Sequence, residues 1–167
     1  DLWAGIDWST FDQRVVTMIE RVLRRARPES HAVTALLSAA LAAELLYLDP
    51  ARSDRVSSDA VVAAEASGDP VVLARVLLQR YWAVSGSEGH AERAQIGDRL
   101  IQLTESGLLP ARFVPLAHLA RVSAAYEVGD MDLVHSCHVR ARASAHPVRT
   151  PTGWAHLQYL ETSLALL

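Results

Sequence analysis

A chain of 167 residues, half of them hydrophobic and with a formal net charge of −3, has enough apolar material for one domain with a real core and cannot be mostly disordered. That balance provides no global field to draw nucleic acid or an anionic membrane, and the single Cys137 leaves no internal disulfide framework and fits a reducing, cytoplasmic setting. All the basic residues are arginine, so within these residues there is no Walker lysine, no Schiff-base lysine and no lysine general base, and no cofactor is called for.

Residues 1–8 are a short apolar leader with Trp3, Ile6 and Trp8, lacking the basic start of a signal peptide and read as the end of something cut away. Ser9 and Thr10 offer N-caps, with Asp12 and Gln13 at capping-box spacing. Phe11, Val15, Met18 and Val22, widened by Ile19 and Leu23, predict an amphipathic helix over 10–26. Arg21, Arg24, Arg25 and Arg27 follow at its end, where cations complement the helix dipole, and Pro28 stops it. Four prolines, Pro28, Pro70, Pro110 and Pro151, then stand 42, 40 and 41 residues apart, each ahead of a helix, a break and a second helix.

The first hairpin, 28–69, sets a wide face of Val33, Leu36, Leu37, Ala40, Leu41, Leu45 and Leu48 against a small-residue face of Val56, Ala60, Ala63 and Ser67. Asp49-Pro50 and Asp69-Pro70 each place an N-cap acceptor before a proline suited to the first helical position, and Gly68 can take a left-handed C-cap. In the second hairpin, 70–109, Val72, Leu73, Val76, Leu77 and Tyr81 line one helix, residues 85–89 turn, and Ile96, Leu100 and Leu103 line the next. In the third, 110–150, Leu116, Leu119, Val122 and Tyr126 face Met131, Val134, His138 and Ala141 across a Gly129-Asp130 turn, with Tyr126 at least half buried. The last segment, 151–167, reads as a helix without a partner, its Leu157, Leu160, Leu164 and Leu167 stripe suited to dimerisation or to a following repeat. Helices are thus predicted near 10–26, 30–48, 51–67, 70–84, 90–106, 112–128, 131–145 and 152–167, all within one domain, 1–167, excised from a larger chain. The fold class is all-α, an α-solenoid of antiparallel hairpins of about 40 residues each.

The Gly129-Asp130 turn, Ala141 eleven residues after the aspartate and Pro147 six later resemble a degenerate tetratricopeptide repeat, and Asp49 and Ala60 keep the same spacing. The unit is longer than that repeat, Val122 stands where a small residue is usual and Tyr126 is displaced by one, so a HEAT-like pair suits the period as well. Residues 43–70, 81–86 and 146–167 together resemble the helical-repeat region of large actinobacterial LuxR-type and antibiotic-regulatory-protein-like transcription regulators. The absence of lysine and asparagine, with abundant alanine, suits a GC-rich genome. The resemblance implies a sensor or interaction segment without the ATPase and DNA-binding modules of that family.

His135, Cys137 and His138 invite a metal reading, but on a helix Cys137 lies about 160° from His135, so the three do not converge. No nucleophile and base stand in a catalytic motif. Trp82, Tyr126, Trp154 and Tyr159 fall on first helices, which in such solenoids line the concave surface. Gln79, Arg80, Trp82, Arg121, Tyr126, Glu127 and Trp154 are therefore the candidate groove for a protein, peptide or small effector, the other reading being that the rings fill inter-repeat core. An alternative to this sensor reading is an enzyme-like helical domain with an enclosed pocket and convergent titratable groups. Other domains of the same chain are expected partners, and neither nucleic acid nor membrane is.

Overall fold

The computed structural model describes residues 13–27, 29–84, 87–148, 157–158 and 161–162, with 87 and 145–148 described by backbone alone. Every regular element among them is helical: α1 Gln13–Leu23, α2 His31–Leu45, α3 Pro50–Ser67, α4 Pro70–Ala83, a single 3-10 turn Ser87–Gly89, α5 His90–Glu105, α6 Phe113–Glu127 and α7 Met131–Val148. Residues 157–158 and 161–162 are also helical, and the rest of the expected last helix, Trp154, Tyr159, Leu160, Leu164 and Leu167 included, lies outside the described residues. So do Ser9, Thr10 and Pro28.

Local chemistry sets most boundaries. The Asp49 carboxylate accepts from the Arg52 N–H at 3.0 Å, with Pro50 in the first turn of α3. Asp69 accepts from the N–H groups of Val71 and Val72 at 2.8 and 3.3 Å at the start of α4. Gly68 ends α3 at φ 66°, a region that carries a Cβ penalty for other residues, and its N–H bonds to the Glu65 carbonyl. Two ends differ from expectation. Helix α1 closes at Leu23, so only Arg21 of the four arginines lies in its last turn. Helix α7 runs to Val148 rather than stopping near 145.

The helices group into two compact units, one holding α1 to α4 and the other α5 to α7 with residues 157–158 and 161–162. In the first, α2 packs against α1, α3 and α4. Because it has three neighbours, it buries small residues on one side and leucines on another. Ala35 and Ala39 meet Ala60, Ala64, Val72 and Val76, while Leu41 and Leu45 meet Val16 and Ile19. Side chains of one carbon let the α2 and α3 backbones approach closely, and the Ser53 hydroxyl donates to the Ala42 carbonyl at 2.7 Å. The predicted inward faces hold in part, with Ile19, Leu41, Leu45 and Ala60 buried, and are otherwise turned. Met18, Val22, Val33 and Leu48 are exposed, and Val16, Ala35, Ala39, Ala42, Ser53 and Ser57 are buried instead. The small-residue character of α3 holds, carried by Ser53, Ser57, Ala60 and Ala64 at 4, 3, 4 spacing.

In the second unit α6 lies against both α5 and α7. Pairing of Arg93 with Glu127 and of Asp98 with Arg121 shows that α5 and α6 run antiparallel. Val122 and Ala125 bury against Val134 and Cys137 of α7, whose first residue, Met131, stays exposed. Leu119, Ala141 and Leu157 form a further buried cluster.

Candidate functional site

The candidate groove residues fall in both units, Gln79, Arg80 and Trp82 on α4 and Arg121, Tyr126 and Glu127 on α6; Trp154 lies outside the described residues. The cap at Asp69 fixes where α4 begins, and eleven residues later that phase turns Arg80 inward, 8% exposed. Its Nη1 donates to Asp54 Oδ1 at 2.6 Å, to the Asp54 carbonyl at 2.7 Å and to Ser57 Oγ at 2.8 Å. A desolvated guanidinium needs such acceptors, and here α3 supplies all three. Arg80, expected to line an open groove, is instead a bolt between α3 and α4.

Trp82 beside it is 37% exposed and stands edge-on to the buried Tyr81, ring centroids 5.5 Å apart and planes at 81°. Gln79, Trp82 and Ala83 face Ala42, Ala43 and Leu46 of α2 across a crevice of about 10 Å³, room for roughly one water molecule.

On α6, Arg121 Nε donates to Asp98 Oδ1 at 2.6 Å, and Glu127 accepts from the buried Arg93 of α5. Between these two bridges lies Gly97, where a Cβ would come within 3.1 Å of the Arg121 N and Cα, so the helices touch backbone to backbone. Arg121 and Glu127 thus clamp the hairpin, contrary to the groove expectation. Tyr126 is more than half covered, as expected, yet at 40% exposure it is the open end of its stripe.

His135 is exposed, Cys137 buried and His138 intermediate, so the three take different environments on α7. Among the described residues no three His, Cys, Asp or Glu side chains are grouped to hold a metal ion. His138 Nε2 lies 3.4 Å from Glu161 Oε1, which Arg142 also approaches at 3.2 Å. Burial pushes the Cys137 thiol up, an effect that a hydrogen bond with Ser136 and the charges of Arg121 and Arg140 only partly offset. A thiol held protonated in this way is a packing group rather than a poised nucleophile.

Sequence reasoning missed Asp54, Ser57, Arg93 and Asp98, which complete these bridges, as well as the link of Arg52 to Glu20 between α3 and α1. The one local signal was the polar pair Ser53 and Ser57, spaced one turn apart in a row of alanines. It also missed His118 of α6, 6% exposed, with Nδ1 buried and without a hydrogen-bond partner. Compared with known proteins, the chain matches no protein family, no curated protein and no solved structure.

Proposed function

We propose that this chain is a non-catalytic recognition segment of a bacterial transcription regulator, an α-solenoid of degenerate tetratricopeptide-like hairpins that binds a protein, peptide or small effector. One observation carries the reading: Arg80 of α4 and Arg121 and Glu127 of α6 are held in bridges to the preceding helix, while the rings near them, Trp82 and Tyr126, keep 37% and 40% of their surface open. Charges committed to neighbours hold a scaffold rigid; half-open aromatic rings with a polar edge are suited to contact a partner. The repeated Asp-Pro helix starts at 49–50 and 69–70 support the repeat character. The regulator assignment rests on the sequence resemblance.

Panning a random-peptide display library on the immobilised chain tests each ring as a contact of its own unit, with the single variants Trp82→Ala and Tyr126→Ala as the comparisons. Peptides enriched on the wild type should bind one of the two variants at least about tenfold more weakly, since a lost ring contact is an anchor-sized term. Equal binding to the wild type and to both variants, with the helical circular dichroism spectrum retained, removes both rings from the proposal. The coding sequence on either side tests the regulator: a Walker-type nucleotide module or a helix-turn-helix in the same reading frame is the expected finding, and flanks encoding neither would remove it.

A further inference from the structure

A neutral imidazole can lie in an apolar bed at modest cost, whereas its protonated form needs solvent or an acceptor. His118 is buried in the α5–α7 unit. Its neighbours in sequence, Ala117 and Leu119, are buried, its own residue is 6% exposed, and Nδ1 has no hydrogen-bond partner. Two charged groups act on it from the packed helices, Arg140 of α7 and Glu105 of α5, which lie 3.9 Å from each other with side chains largely in solvent. Leu157 packs on the adjoining Leu119 and Ala141, and Glu161 faces His138 and Arg142 of α7. A proton on His118 therefore enters a desolvated place next to a guanidinium, and the one nearby carboxylate already faces that guanidinium.

We propose that His118 is a proton-operated latch on the α5–α7 unit: neutral, it lets the three helices close, and once protonated it loosens that unit while the α1–α4 unit stays shut. Burial, then Arg140, hold its pKa below the ordinary 6.5, with Glu105 offsetting part of the effect. The linkage follows from that direction. The unfolded state takes up the proton first as pH falls through 6.5, so the stability that neutral His118 allows is full above that value. It is lost on acidification until the lower folded pKa is passed. The response is local because the described part of the α1–α4 unit contains one histidine, His31, which is exposed. Loosening α6 from α7 would uncover Val122, Ala125 and Cys137, an apolar face hidden in the closed unit.

The test uses the 167-residue chain. The His118 ring is titrated by NMR, and hydrogen exchange of peptides from α1–α4 and from α5–α7 is measured at about pH 7.5 and about pH 5, corrected for intrinsic exchange. The expected result is a His118 pKa below 6.5 and an opening constant for α5–α7 that rises on acidification to about pH 5, by about tenfold for one unit of depression and by no more than about thirtyfold, with α1–α4 unchanged. In His118→Phe, or in His118→Leu should the larger ring fail to pack, that rise should vanish. A ring titrating at or above 6.5, an equal response in both units, or a variant that keeps the wild-type response would overturn the latch.

Discussion

Arg80 shows how much of a buried charge's effect depends on what its removal leaves behind. In Arg80→Met, Asp54 can hydrate, because its side chain is 56% exposed, and the Ser57 hydroxyl keeps its own bond to the Asp54 carbonyl at 2.9 Å. Neither of these groups is stranded, so losing their bonds to Arg80 should cost about 1–2 kcal/mol rather than the 3–5 kcal/mol of a broken, fully buried pair. Urea denaturation measures it, and a loss above that range would mean that the bridge organises more of the unit than α3 and α4. Cys137 makes the complementary case. With the thiol 5% exposed and its pKa raised by burial, iodoacetamide should label the native chain far more slowly than the urea-unfolded chain. The thiol's own contribution to stability is intact below the ordinary thiol value and is lost as pH rises towards the folded one. Equal labelling rates in both states would place Cys137 at the surface.

At the level of helices, one position concerns an end and another a contact. Asp69 satisfies two N–H groups of the first turn of α4, and Asp69→Ala should cost about 0.5–2 kcal/mol, measured as a fall in the urea midpoint. Gly97 sets two effects against each other. Alanine would gain roughly 1 kcal/mol in helix propensity, but its Cβ would meet the main chain of α6 at 3.1 Å, and main chain cannot swing aside as a side-chain tip does. Overpacking of this kind costs about 1–3 kcal/mol. With α6 anchored on its other face by Val122 and Ala125, the packing cost should win, and Gly97→Ala should lower the urea midpoint by a net ~1 kcal/mol. A raised midpoint would show that α6 is free to move away from α5.

For the whole molecule, charge and composition bear on what it does not bind or turn over. The formal net charge is −3, there is no lysine, and Arg52, Arg80, Arg93 and Arg121 are each paired with a carboxylate. Phosphate backbones are held by cations that are available to release counterions, and these four are committed. The purified chain should give no mobility shift with random-sequence duplex DNA at about 150 mM salt and no phosphate release from ATP. A specific shift, or turnover that survives purification, would remove the non-catalytic recognition reading.

The helices and most of their limits were legible in the amino-acid sequence because the interactions that set them are local. Asp69 caps N–H groups two and three residues away, Gly68 closes on Glu65, and Pro50 and Pro70 sit in a first helical turn, where the missing N–H costs nothing. Each such choice is made before any second helix arrives. The inward faces of α4 to α7 were largely legible, as the buried Val72, Val76, Leu77, Tyr81, Ile96, Leu100, Leu119, Val122, Val134 and Ala141 show. That of α2 was legible only in part, since it carries apolar residues around most of its surface and its three neighbours decide that Ala35, Ala39 and Ala42 go in while Val33 stays out. The partners of the charged candidates were hidden for the same reason. Arg80, Arg121 and Glu127 find partners 26, 23 and 34 residues away, and those meetings depend on the phase and register of packed helices. What a charged side chain meets is decided by close packing across the hairpin, which no spacing within one helix encodes.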